Sequence, residues 1–312
     1  MAGADPTQPS IDEPVLIYDR IASNKRETWL LMSLFVVITG ALAAGISYAL
    51  GAPLPVVPIV IAALILYAVS SYYASSNVAL GVSGARQVTK EEEPELYRVV
   101  ENLSIGSGLP VPKVYVIEDS APNAFATGRD PKHASVAATR GLLNKLDKAE
   151  LEGVMAHEMS HVGNYDTRVM TITIVLIGII ALLGDFFIRW TWFGAGRRES
   201  NRDRGGAAAI VAIVVILFAV IAPVIAKLIQ LAISRQREYL ADASGALLCR
   251  NPDALASALE KISADPDPLE VANKATAHLY FSNPLRDHQS MLNDAFSTHP
   301  PVAERIRLLR AM

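Results

Sequence analysis

The stretch His157-Glu158-Met159-Ser160-His161 carries two imidazoles four residues apart, with a carboxylate beside the first. Four residues is about one helical turn, so on a helix both rings leave the same face and can bind one metal ion. Glu158 then stands where it can take a proton from a water activated at that metal, which is the arrangement of zinc-dependent peptide hydrolysis. A catalytic zinc needs a third protein ligand and one open position. A further histidine of the extended metzincin pattern would supply it, but Val162-Gly163-Asn164-Tyr165-Asp166 holds none. The carboxylate candidate is Glu238, 77 residues after His161, with Asp242 four residues beyond it. On a helix, Glu238 would ligate the metal and Asp242 would accept a hydrogen bond from a ligand imidazole and fix its orientation. His299, in Ser297-Thr298-His299-Pro300-Pro301 with Arg305 following, is open to a role beside the ligands or at a developing oxyanion. His133, His278 and His288 have no supporting pattern and read as surface or structural residues.

Several elements must position these groups. Asp147 opens the helix that carries both histidines, and Glu150 three residues on completes a capping box. Pro94 starts an amphipathic helix with Leu96, Val99, Val100 and Leu103 on one face, ending near Gly106–Gly108. Val114–Ile117, Ala124–Thr127 and Ser135–Thr139 read as short strands, the last two joined through Gly128-Arg129-Asp130-Pro131. Asn251-Pro252 starts a later helix, and Pro301 a final one with Val302, Ile306 and Leu309 together. Residues 265–296, with Asp265-Pro266-Asp267-Pro268 and Asn283-Pro284, are the stretch that could form a lid.

Composition places this chemistry against a bilayer. Of 312 residues 51% are hydrophobic and the mean hydropathy is +0.29, high for a soluble chain. No Asp, Glu, Lys or Arg occurs between Glu27 and Arg86. That tract has room for two spans of about 20 residues each, near Thr28–Leu50 and Leu54–Tyr73, broken at Gly51-Ala52-Pro53-Leu54-Pro55. Further apolar segments run over Val169–Ile188 and Ala207–Ala226. The first apolar run is longer than a signal-peptide core and reads as an uncleaved anchor. Arg20, Lys25 and Arg26 before it put the N-terminus and the chain after residue 75 on the cytoplasmic side. Arg189, Arg197, Arg198, Arg202 and Arg204 in the loop 189–206 oppose that tendency if the last two segments cross, so either the first hairpin dominates or those segments do not cross fully. If helical, His161 lies about 12 Å before Val169 and Glu238 about 18 Å after Ala226. Those two segments would then clamp the halves of the metal site together. A net charge of −3, with no basic patch interleaved with aromatics, excludes a nucleic-acid partner. The single Cys249 excludes an internal disulfide.

The chain resembles the HtpX family of membrane zinc metalloproteases, relatives of the CAAX prenyl proteases. The resemblance rests on His157–His161 and on Ser234-Arg235-Gln236-Arg237-Glu238-Tyr239-Leu240-Ala241-Asp242. Pro122-Asn123-Ala124-Phe125-Ala126-Thr127-Gly128 and Thr298-His299-Pro300-Pro301 with Arg305 reinforce it. It implies one zinc ion held by His157, His161 and Glu238, with Glu158 as general base and Asp242 behind a ligand. It raises His299 and Arg305 to stabilisers of the tetrahedral intermediate. It also gives Asn123, Ala124, Phe125, Ala126 and Thr127 a role in pairing with an extended substrate by strand addition. The fold expected is an α-helical integral membrane protein with an α+β zincin-like (gluzincin) protease domain and about four transmembrane or membrane-embedded helices. Its parts would be a polar segment 1–27, a hairpin 28–74, a first protease part 75–168, a second membrane pair 169–226 and a second protease part 227–312. The implied work is quality control of membrane proteins at the cytoplasmic face of the plasma (inner) membrane, with protein substrates and the lipid bilayer as partners. A membrane scaffold or holdase whose zinc is structural, closed by Asp242 or His299 as fourth ligand, and a maturation protease with one defined substrate are the alternatives.

Overall fold

The computed structural model describes residues 22–34, 36–37, 40, 56–173, 235–270, 280–282 and 300–312. A helix over residues 22–34 (α1) is followed by α2 (Val56–Val82), β1 (Arg86–Gln87), α3 (Pro94–Ser107), β2 (Lys113–Ile117), β3 (Ala124–Gly128) and β4 (Ala134–Thr139). Then come α4 (Arg140–Lys145), α5 (Lys148–Gly163), a helix over 166–173 (α6), α7 (Arg235–Cys249), α8 (Pro252–Ser263) and α9 (Val302–Leu309). The strand and helix expectations around Pro94, Val114, Ala124, Ser135, Asp147, Asn251 and Pro301 all correspond to observed elements.

Local chemistry accounts for the boundaries. Pro94 occupies the first turn of α3, where its missing N–H costs nothing, and Gly108 closes the helix in the left-handed region at φ 69°. The Asp147 side chain accepts from Glu150 N while Glu150 reaches back to Asp147 N, a complete capping box on α5. Asn251 caps α8 by accepting from Ala254 N.

The four-stranded sheet has the order β1-β2-β4-β3. β2 and β4 run parallel, and β3 returns antiparallel to β4 with Ala124 opposite Ala138 and Gly128 opposite Ala134. β3 therefore ends the sheet. Its Asn123 carbonyl accepts from Thr139 N on the β4 side, so alternation turns Ala124, Ala126 and Gly128 outward. Every residue of β3 and β4 is buried, because α5 lies against one face and α2 with Tyr280 against the other.

α5 is the central rod. From Gly153 to Val162 each of its residues is buried, among the sheet, α3, α7 and α8. Leu151, Val154, Met155, Met159 and Val162 join Leu96, Val100, Val136, Leu255 and Leu259 in one core. Two glycines permit the closest approaches. A Cβ on Gly153 would lie 3.0 Å from the Leu255 backbone of α8, and one on Gly245 of α7 would lie 2.9 Å from His157 N.

Counting the described residues alone, no helix is long and apolar enough to cross a membrane. α2, 27 residues long, nonetheless contains no charged residue and exposes Ile59, Ile65, Leu66, Tyr67 and Val69. Most of the first expected span lies outside the described residues, as do the third beyond residue 173 and the whole of the fourth. One expectation is corrected here. His161 does not run helically into the third segment, because α5 ends at Gly163 and Tyr165 takes φ 61° before α6 begins.

Gly245→Ala should push α7 off α5 and lower stability by about 1–3 kcal/mol, read as a reduced denaturation midpoint of the metal-free protein.

Candidate metal centre

α5 presents His157, Glu158 and His161; α7 presents Glu238 and Asp242 one turn apart. All five are at most 4% exposed. One donor atom from each of His157, His161 and Glu238 falls within 4.8 Å of the others. The two Nε2 atoms are 3.2 Å apart. Glu238 Oε2 is 3.8 Å from His157 Nε2, and Oε1 is 3.5 Å from His161 Nε2. Two nitrogens and a carboxylate oxygen converging on one point make a donor set that suits zinc.

The other nitrogen of each ring faces a buried carboxylate. His157 Nδ1 is 2.9 Å from Asp242 Oδ1, close enough to pair although not aligned as a hydrogen bond. His161 Nδ1 is 3.0 Å from Asp166 Oδ2. Asp242 thus stands where the sequence placed it. Asp166 is a second such partner, at the end of the stretch 162–166 that holds no further histidine. The signal was available: a ligand imidazole needs an acceptor for its second nitrogen, and Asp166 is the nearest acid after His161.

Arg305, 1% exposed, forks onto Asp242, with Nε and Nη2 each 2.7 Å from a carboxylate oxygen. Its Nη1 lies 3.5 Å from both Glu238 Oε2 and the Phe281 carbonyl. The guanidinium therefore sits behind the ligands. His299, His278 and His288 lie outside the described residues. His133 is exposed and pairs with Asp130 at 2.7 Å, apart from the site.

Burial sets the protonation states and neighbours adjust them. It lowers His157 to about 4, leaving a neutral ring with a lone pair for a metal. It would also depress His161, but bonds to Asp166 and Glu238 outweigh it and hold that ring well above the usual imidazole value in the metal-free protein. Burial and the charge of Glu238 push Glu158 up to about 7, against the pull of His161 and the Ala126 N–H. Burial opposes ionisation of Asp242, yet Arg305 holds it below the usual carboxylate range. Four buried carboxylates, Glu158, Asp166, Glu238 and Asp242, face two buried guanidiniums, Arg237 and Arg305. With His161 charged this comes close to balance, and a dication that replaced the imidazole proton would keep it so.

The Ala126 N–H is among the groups that pull against that rise in Glu158, which puts the outer edge of β3 beside the base. Further along that edge, Phe281 N donates to the Ala124 carbonyl at 2.8 Å. Asn123 exchanges hydrogen bonds with Ser282, Nδ2 to the carbonyl at 3.0 Å and Oδ1 from the amide at 3.2 Å. The Phe281 ring stands edge-on to His157 with centroids 5.0 Å apart. Of the stretch considered as a lid, residues 280–282 therefore line β3; 271–279 and 283–296 lie outside the described residues.

Comparison with known proteins adds the following. The family model of peptidase family M48 matches residues 90–312. A protein described as "Protease HtpX homolog" from Tropheryma whipplei (strain Twist) is 47% identical over 297 residues, covering 95% of this chain and 99% of its own. Proteins of the same description from Dictyoglomus thermophilum and Lactobacillus helveticus are 46% and 42% identical, over 96% and 95% of this chain and 96% and 100% of theirs. The crystal structure of S. mikatae Ste24p superposes with a TM-score of 0.47 at 18% identity, over 95% of this chain and 66% of that one, a likeness too low to argue from.

Replacing Arg305 with Met should destabilise the metal-free protein by about 3–5 kcal/mol, since it strands a buried carboxylate. Asp242→Leu with Arg305→Met should cost less than the two separate losses added together, as read from a double-mutant cycle in denaturant.

Proposed function

The chain belongs to peptidase family M48, and from that premise we propose that it is a zinc endopeptidase anchored in the plasma (inner) membrane. It would cleave misfolded or damaged membrane proteins at the cytoplasmic face. The observation that carries the catalytic part is the His157, His161 and Glu238 trio with Glu158 beside it. Support for the membrane comes from the charge-free tract between Glu27 and Arg86 and from the apolar residues exposed along α2.

When bound, zinc supplies a Lewis acid that polarises a carbonyl oxygen and acidifies water. The chain's own residues do the rest. Glu158 takes the proton from the attacking water and returns it to the departing amine. The Ala126 N–H lies near Glu158, so the base borders the cleft strand. Asn123, Ala124, Phe125, Ala126 and Thr127 lie on or beside β3, the terminal strand of the sheet, which suits an extended substrate pairing by strand addition. Because Phe281 already pairs with Ala124 and Gly128 N donates to Thr171 Oγ1, a substrate would join between them, at Ala126. Arg305 acts through Asp242 and Glu238, both on α7, and ties that helix to α9. His299 keeps the oxyanion role that the family resemblance implies. A structural zinc is less favoured: Asp242, its candidate fourth ligand, is committed to Arg305 and to the far nitrogen of His157.

Glu158→Gln should bind one zinc per chain and lose peptide cleavage by about 10³-fold or more, measured by metal analysis beside a casein or membrane-protein cleavage assay. Normal turnover by that variant would remove Glu158 as the base. A base acts deprotonated, so kcat/KM should fall as the pH drops through the Glu158 pKa. The free carboxyl sits at about 7 against an ordinary 4.5; a bound dication favours the carboxylate, so the acid limb should have its midpoint between those values. Comparing the proteomes of cells with wild-type and Glu158→Gln protein separates many substrates from one.

A further inference from the structure

We propose that Asn24 of α1 is a positioning residue for the metal ligand His161, acting through Asp166. This rests on the zinc reading above. Asn24 is 2% exposed and its amide nitrogen uses both hydrogens. One goes to the Asn164 carbonyl at 2.7 Å and the other to Asp166 Oδ1 at 2.8 Å. The second carboxylate oxygen, Oδ2, is the one that meets His161 Nδ1 at 3.0 Å. A carboxylate held at one oxygen presents the other in a fixed direction, so Asn24 sets the plane of the His161 ring at one remove.

The neighbouring contacts fasten α1 to the same turn. Glu27 pairs with Arg237, the residue before the ligand Glu238, and Arg237 Nε reaches Asp166 Oδ1 at 3.6 Å. Lys25 Nζ lies 4.5 Å from the centre of the Tyr165 ring. Tyr165 holds φ 61°, a costly backbone state for a bulky residue, and it is the residue that throws Asp166 back towards His161. α1 thus contacts the turn after one ligand helix and the start of the other. It also leads directly into the first apolar segment, so the root of the anchor and the metal site are one construction.

The test compares Asn24→Ala and the isosteric Asn24→Asp, which cannot donate and sets a charge against Asp166, with Arg26→Ala on the exposed side of α1. Zinc affinity is read by competition with a chromophoric chelator, and ligand geometry by the visible absorption of the cobalt-loaded protein. Both Asn24 variants should bind zinc about tenfold more weakly, at the lower end of losses seen when a partner of a ligand is removed. They should shift the cobalt bands at saturating metal and lower kcat more than they raise KM. Arg26→Ala should match wild type. In an Asp166→Asn background, Asn24→Ala should add no further loss of affinity. Wild-type affinity and cobalt spectra in the Asn24 variants, additive losses with Asp166→Asn, or failure of both Asn24 variants to fold would each overturn the assignment. A wild-type chain that binds zinc but hydrolyses no peptide would instead overturn the protease reading and leave the affinity comparison standing.

Discussion

Two imidazoles can share a metal only if each turns the same nitrogen towards it, and here that choice is made from behind. Asp242 occupies the Nδ1 side of His157 and Asp166 the Nδ1 side of His161, so both Nε2 atoms face Glu238. The network behind the ligands serves to keep those carboxylates buried and paired. Neither could remain buried alone, because an unpaired buried charge costs several kcal/mol. Arg305 answers Asp242; Arg237 and Asn24 answer Asp166. The helices carrying these partners are fixed in place by electrostatics as much as by apolar packing.

Apolar packing sets the spacing at which that network operates. Gly245 lets α7 come within contact of the His157 backbone, and Gly153 does the same for α8 at Leu255. Small residues along β3 and β4 bring the sheet up to the other side of α5. The result is a ligand helix with no exposed face at the site, which is why burial rather than charge dominates the titration of His157 and Glu158.

What the sequence disclosed was what local rules encode. A capping box, a proline at a helix start, alternating small and branched residues, and two histidines one turn apart each act within a few residues, and the corresponding elements stand where they were expected. Glu238 and Asp242 were legible because a lone histidine pair demands a third donor and a partner for a ring nitrogen. Asp166 obeys the same demand, but it is brought back to His161 by a turn at Tyr165 whose positive φ the residue type there does not announce. Asn24 and Phe281 were not legible at all. Their roles depend on contacts 140 and more residues away in the chain, which periodicity and propensity do not carry.

The fork between Arg305 and Asp242 also has a meaning in time. Chain synthesis runs from the N-terminus, so the histidines, Glu238 and Asp242 all exist before their guanidinium does. Until α9 docks, Asp242 lacks the guanidinium that holds it, and the carboxylate behind His157 has no fixed direction. The half of the site behind His157 is thus completed from α9, after both ligand helices have been made.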